Sequence, residues 1–176
     1  MGSSLNSIKD LREMTSCGVM DCKKALEEAN GDFEKAKKLL RKKGLELAAK
    51  KGSREAKEGK IASYIHQGSK IGVLVEVNCE TDFVANSPDF SDFAKDVAMH
   101  IAAMNPQYIS KDEIEEDVLK EQKKPEEFVK QSCLLEQSFV KDPKKTIQDY
   151  LTELIAKVNE NTFISRFVRY KVNEIA

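Results

Sequence analysis

The stretch Ile61-Ala-Ser-Tyr-Ile-His-Gln-Gly-Ser-Lys-Ile-Gly-Val-Leu-Val-Glu-Val77 decides the fold class of this 176-residue chain. Ile61, Ser63 and Ile65 share one period-two face, and Ile71, Val73, Val75 and Val77 share another. Gln67-Gly68-Ser69-Lys70 between them is a turn, so the stretch predicts a β-hairpin. A loop from Asn78 to Asn86 follows, and then Ser87-Pro88 pairs a cap with a first-turn proline. The next period is helical: Phe90, Phe93, Ala94, Val97, Ala98 and Ile101 form an apolar stripe that stops at Asn105-Pro106.

Farther on, Ser110 and Glu113 predict a capping box ahead of Ile114, Val118 and Leu119. Lys123-Lys124-Pro125 interrupts, and Phe128 to Val140 predicts a mostly helical stretch. Thr146 caps a helix bearing Ile147, Tyr150, Leu151, Leu154, Ile155 and Val158, and Phe163 to Val172 predicts a third strand. Three strands with a hairpin, flanked by helices without regular alternation, indicate an α+β domain over residues 61–176 with a small antiparallel sheet.

Upstream, residues 5–44 predict three short helices. Asn6 or Ser7 caps the first, with Ile8, Leu11 and Met14 or Thr15 on its apolar face. Ser16-Cys17-Gly18 breaks it. The second carries Cys22, Leu26 and Ala29 and stops at Asn30-Gly31. Asp32 caps the third, which carries Phe33, Ala36, Leu39 and Leu40 and ends at Arg41-Lys42-Lys43-Gly44. Residues 45–60 are charged and interrupted by Gly52 and Gly59, which predicts a helical connector.

The charge divides the same way. The whole chain carries 29 basic and 30 acidic residues, a net charge of −1. Residues 1–60 nevertheless hold 15 basic and 10 acidic side chains, and residues 61–176 hold 14 and 20. A near-neutral total disfavours a strongly basic nucleic-acid binder. No apolar run approaches the ~20 residues of a membrane span, and the first residues lack the apolar core of a signal peptide. Cys17, Cys22, Cys79 and Cys133 are therefore expected to be reduced thiols in a cytosolic setting.

Catalytic patterns are weak. The stretch Gly52 to Ile61 misses the spacing of a phosphate-binding loop and puts Ile61 where a hydroxyl belongs. Cys17 and Cys22, with His66 and His100 the only histidines, lack zinc-ligand spacing, so no metal and no cofactor are expected. Cys79 and His66 stand on the two arms of the hairpin and are the one pairing that offers a thiol nucleophile with a base. Glu115-Glu116 and Glu126-Glu127 suit a solvated face better than paired acid–base chemistry. Lysine pairs at 23–24, 37–38, 42–43 and 50–51 have no interleaved aromatics. They fit a surface for an acidic protein partner better than one for nucleic acid. Glu80-Thr81-Asp82-Phe83-Val84-Ala85-Asn86 sets a carboxylate beside a large ring in a strand-to-helix loop. Pattern alone favours Phe83 and Val84 folded inward, with Asp82 as a local cap.

Taken together these residues resemble a known family. Leu11-Arg12-Glu13-Met14-Thr15, Gly18-Val19-Met20-Asp21-Cys22-Lys23-Lys24-Ala25-Leu26 and Ala29-Asn30-Gly31-Asp32 are similar to the opening of bacterial elongation factor Ts. Glu76-Val77-Asn78-Cys79-Glu80-Thr81-Asp82-Phe83-Val84-Ala85 resembles its most recognisable internal motif. Cys133-Leu134-Leu135-Glu136-Gln137, Phe139-Val140 and Arg166-Phe167-Val168-Arg169-Tyr170 resemble the C-terminal part of its short form. The resemblance implies a non-enzymatic guanine-nucleotide exchange factor for the GTPase elongation factor Tu, with no direct nucleic-acid or membrane partner. It implies a ubiquitin-associated-like (UBA-like) three-helix bundle over 5–44 that docks through Gly18, Val19, Met20 and Lys23. Thr81, Asp82, Phe83 and Val84 take the role of dislodging magnesium from the GTPase. The short form is compatible with a homodimer in a two-to-two assembly formed through the sheet domain. The implied location is the cytoplasm, or the matrix or stroma of an organelle. Between Leu119 and Cys133 the chain is several helical turns shorter than the family pattern. Ser16-Cys17 stands where Gly-Ala is expected, Val19 for Met, Ser138 for Pro and Asn159 for Gly. A UBA-type binding module with an appended domain is the alternative; it accounts for residues 5–44 alone.

Overall fold

The computed structural model describes residues 2–15 and 17–174, and the side chains of residues 7–15 and 17–174. The chain divides into two compact units: residues 1–55 with 152–161, and residues 56–151 with 162–176.

In the first unit, helix α1 spans Gly2–Thr15, α2 Val19–Glu28 and α3 Phe33–Lys51. α1 starts before Asn6 and Ser7, so neither is its cap; the Asn6 side chain and Ser16 lie outside the described residues. Leu11, Cys22, Ala25, Leu26, Ala29, Ala36 and Leu40 form the core of the three helices, with Ile8, Cys17, Phe33 and Leu39 packed against it. Asp32 caps α3 as its sequence position predicts, accepting from the Lys35 N–H at 3.0 Å. That hydrogen bond also holds the Asp32 carboxyl below its ordinary pKa.

Gly44 does not stop α3; the helix continues seven residues beyond it to Lys51, over only the first part of the predicted 45–60 connector, whose last residues, from Glu58, already belong to a strand. The reason is a helix crossing. A Cβ placed on Gly44 would lie 2.8 Å from Cγ2 of Thr152, on the later half of a helix (α8) spanning Ile147–Val158. Seven residues on, the buried Lys51 ammonium donates to the Asn159 carbonyl. Gly44 thus faces Thr152 while Lys51 faces Asn159, so the two helical segments run parallel for about two turns. Gly44 is a notch for close approach, and Lys51 satisfies a carbonyl at the end of α8.

In the second unit, β1 (Glu58–Ile65) and β2 (Ile71–Cys79) form the hairpin, and β5 (Thr162–Lys171) pairs with the other edge of β2. All pairings are antiparallel, and a bulge interrupts the β2–β5 register beside Glu76 and Val77. Val73, Val75, Val77 and Cys79 point to the buried face of the sheet. Helix α5 (Pro88–Met104) packs there, with Phe90, Phe93, Ala94, Val97, Ala98 and Ile101 all buried. Full burial of each phenylalanine contributes roughly 1.5–3 kcal/mol. Ser87 caps α5 through Phe90 N–H at 3.3 Å, and Asn105 ends it in the left-handed conformation.

Between α5 and α8 the elements are shorter than predicted. The Ser110–Glu113 box does not form: Glu113 instead accepts from the Ile109 N–H at 2.7 Å, around one 3-10 turn at Lys111–Glu113. Helices α6 (Glu116–Glu121) and α7 (Pro125–Ser132) follow. The helix expected to reach Val140 ends at Ser132; Tyr108 bridges to Cys133, a 3-10 turn follows at Leu134–Glu136, and a second, two-stranded ribbon begins at Ser138. Its strands are β3 (Ser138–Phe139) and β4 (Asp142–Thr146). The ribbon is tied to α5 through buried His100, whose Nε2 lies 2.9 Å from Gln137 Oε1 and whose Nδ1 accepts from Val140 N–H at 3.4 Å. This arrangement selects the neutral Nε2–H tautomer, and burial pushes the His100 pKa down. Phe93 meets Tyr150 edge-on at 4.9 Å, and Tyr150 stacks on Phe139 at 5.0 Å.

The Gly44 notch is testable. Gly44→Ala should destabilise the protein by about 1–3 kcal/mol through overpacking, against the gain of about 1 kcal/mol that alanine gives at an open helix position. Adding Thr152→Ser, which removes the opposing methyl, should recover most of the loss in a denaturant titration. A Gly44→Ala protein more stable than its parent would show that the helices do not touch there.

Candidate functional site

The Thr-Asp-Phe segment is a single turn of helix (α4), Asp82–Ala85, set between β2 and α5. Four residues cannot sustain a helix on their own, so its neighbours hold it. On the entry side the Cys79 thiol donates to the Thr81 carbonyl at 3.2 Å, and Thr81 Oγ1 accepts from the Val84 N–H at 3.3 Å. On the exit side Asn86 Nδ2 donates to the Asp82 carbonyl at 2.9 Å. Ser87 Oγ donates to the Val84 carbonyl at 2.8 Å. From beneath, Val84 and Ala85 are buried.

The consequence is a correction to the pattern-based reading. Val84 does fold inward, but Phe83 does not: its side chain is 83 % exposed. Thr81, not Asp82, supplies the cap, and Asp82 is left exposed beside the ring. A helical turn forces this split, because successive side chains on a helix point about 100° apart. Once Val84 is committed to the core, Phe83 faces outward.

In the first unit Val19 and Met20 open α2 and are both exposed, as is Lys23, which pairs with Glu27 at 3.9 Å on the helix surface. Gly18 sits at the N-cap position in extended backbone and accepts from Cys22 N–H at 3.0 Å. Of the two residues that the sequence offers for the inner face of α1, Met14 or Thr15, Met14 is exposed and Thr15 is half-buried, its hydroxyl donating to the Leu11 carbonyl at 2.7 Å. Met14, Val19 and Met20 are therefore the exposed large apolar groups around the α1–α2 turn.

The thiol–imidazole pairing fails on geometry. Cys79 is opposite Glu58 at the open end of the hairpin, whereas His66 follows Ile65, which is opposite Gly72 at the turn. Seven residues of strand, at about 3.3 Å each, separate the two ends by roughly 23 Å. Cys79 is instead engaged with Thr81, and burial raises the pKa of the Cys17 and Cys133 thiols. Cys17, Cys22, Cys79 and Cys133 are all thiols and not disulfides. Among the described residues no group of three or more His, Cys, Asp or Glu side chains could hold a metal ion. No helix there is long and apolar enough to cross a membrane.

The distinctive group is thus a solvent-facing ring on a hydrogen-bonded turn. Comparison with known proteins specifies the class. The family model for elongation factor TS matches residues 14–127 and 124–174. Elongation factor Ts of Caldanaerobacter subterraneus subsp. tengcongensis is 50 % identical over 194 aligned positions, covering 97 % of this chain and 97 % of the relative. That of Anaeromyxobacter sp. (strain Fw109-5) is 51 % identical over 192, covering 96 % and 88 %. That of Fervidobacterium nodosum is 48 % identical over 197, covering 99 % and 100 %. The chain belongs to the elongation factor Ts family, whose members are translation elongation factors. Alignments of 192 to 197 positions exceed the 176 residues here, so these relatives carry residues that this chain lacks. The family match comes in two segments that overlap at 124–127, at the start of α7, inside the stretch that the sequence marks as short.

Proposed function

We propose that this protein is a guanine-nucleotide exchange factor that speeds GDP release from elongation factor Tu without making or breaking a covalent bond. The observation that carries the reading is Phe83, held out into solvent on a turn whose other residues are buried or hydrogen-bonded. A large ring exposed at this cost in apolar hydration suits insertion into a partner. Thr81, Asp82, Phe83 and Val84 form the element that disturbs magnesium and phosphate binding in the GTPase. Magnesium neutralises phosphate charge, so displacing its ligands or waters weakens nucleotide binding. Gly18, Val19, Met20 and Lys23, with Met14 beside them, form the docking surface of the helical unit on the nucleotide-binding domain.

Linkage sets the energetics. Exchange factor and nucleotide weaken each other's binding by the same factor. Burying Phe83 supplies roughly 1.5–3 kcal/mol, which is about one to two decades of affinity. The rest comes from the whole interface, with α4 directing it. The partner is met protein to protein, with no nucleic acid in the contact. The work is done where translation occurs, in a bacterial cytoplasm or an organelle's matrix or stroma. The alternative, a UBA-type module with an appended domain, accounts for Val19 and Met20 but leaves the bracing of Phe83 without a purpose.

The sheet supplies a second contact. Its face away from α5 exposes Ile61 and Ile65 on β1, Leu74 on β2, and Val168 and Tyr170 on β5, around a Glu76–Arg166 ion pair at 2.7 Å. This face seats a second copy of the chain, giving a homodimer inside a two-to-two complex with the GTPase.

Two measurements check these statements. Release of a fluorescent GDP analogue from elongation factor Tu should accelerate with micromolar amounts of this protein. Phe83→Ala should slow the stimulated rate by about ten- to a hundredfold, and Asp82→Ala should slow it less. No acceleration by the parent sinks the reading. For the dimer, sedimentation should give twice the chain mass for the parent and the single-chain mass for Leu74→Glu. A parent that sediments as a monomer at tens of micromolar removes the two-to-two assembly.

A further inference from the structure

We infer that Asn86 and Ser87 are positioning residues, which fix the direction of the Phe83 ring before a partner arrives; the inference rests on the exchange reading above. Phe83 lies between Asp82 and Val84, and the carbonyls of both neighbours are doubly engaged. The Asp82 carbonyl accepts from the Asn86 N–H and from Asn86 Nδ2, each at 2.9 Å. The Val84 carbonyl accepts from the Ser87 N–H at 3.0 Å and from Ser87 Oγ at 2.8 Å. The Asp82–Phe83 peptide directly before the ring and the Val84–Ala85 peptide one beyond it are therefore held, and the Phe83–Val84 peptide between them is held by the Val84 N–H donating to Thr81 Oγ1 at 3.3 Å, which together fix the direction of the Phe83 Cα–Cβ bond.

Ser87 also joins this clamp to the core. Its hydroxyl accepts from the Phe90 N–H and its carbonyl accepts from the Ser91 N–H at 3.1 Å, so one residue both closes α4 and starts α5. Phe90, one turn along, is fully buried. Any rotation of α4 must break Ser87 from one helix or the other. Asn86 is the complementary half: it is exposed, and its side chain reaches no core group. Packing does not explain that contact; it puts a second donor on a carbonyl already paired with the Asn86 N–H, and so ties a one-turn helix more firmly at its last residue. A ring held this way reaches the partner already ordered, so the entropy of fixing the turn is not lost at the encounter.

Asn86→Asp tests this in the full-length chain. The change keeps the shape but turns a donor into an acceptor facing the Asp82 carbonyl. Loss of one neutral hydrogen bond corresponds to about two- to tenfold. At saturating exchange factor, GDP release should slow by that factor, and the Ala85 amide should exchange with solvent faster by a similar one. In a Phe83→Ala background, Asn86→Asp should slow release by less than about twofold more, because it acts through the missing ring. Asn86→Ala, which adds no charge, should show the same pattern. Parental rates for both Asn86 variants, beside a slow Phe83→Ala, overturn this inference and leave the exchange reading standing. Equal slowing with and without the Phe83 ring also overturns it, since Asn86 then acts elsewhere. A Phe83→Ala protein at the parental rate overturns this inference and the role of the ring, whereas no acceleration by the parent overturns the exchange reading itself.

Discussion

The second unit depends on one packing relation, the apolar stripe of α5 laid against the inner face of β2. Val73, Val75 and Val77 alternate onto that face, and Phe90, Phe93, Val97 and Ile101 return onto it at helical spacing. Because both contacts are buried, neither the strand register nor the helix rotation can slip without exposing the whole set. The chain between Cys79 and Ser87 must therefore cross a fixed gap in a few residues. A one-turn helix with Val84 and Ala85 pressed inward fills it. Phe83 points outward as a geometric result of that crossing, and its exposure is maintained by the same core that holds the sheet.

The helical unit is built on a different constraint, close approach of two backbones. Small residues make it possible: Ala25, Ala29 and Ala36 among α1 to α3, and Gly44 where α3 meets α8. Lys51 then spends a buried ammonium on the Asn159 carbonyl. A cation at a helix C-terminus is also favoured by the helix dipole. The surface left over holds the exposed Met14, Val19 and Met20.

Legibility in the sequence followed periodicity. The hairpin, α5, α8 and the last strand have long patterns of one period, and each lies within a few residues of its predicted place. Features decided by partners distant in sequence were not legible. Gly44 reads locally as a stop, and only Thr152, far along the chain, makes it a notch. Glu113 matches a capping box by spacing, yet the Ile109 N–H takes it. The stretch after Ser132 is apolar enough for a helix, but Gln137 is drawn to His100 and the chain turns into a ribbon. At the site, residue types alone pointed Phe83 inward, which the structure reverses; the resemblance singled the residue out, and the turn of α4 explains its exposure. The local signal for α4 is Thr81 three residues before Val84, the spacing of a helix cap.

The central claim is that the outward ring couples this protein's binding to the loss of nucleotide, beyond adding contact area. Calorimetric affinities of the chain for nucleotide-free and for GDP-bound elongation factor Tu separate these directly. The parent should bind the nucleotide-free form far more tightly. In Phe83→Ala the ratio of the two affinities should shrink by about tenfold or more, chiefly through weaker binding to the nucleotide-free form. If Phe83→Ala instead weakens both complexes equally and leaves the ratio at its parental value, the ring is ordinary interface and the account is wrong.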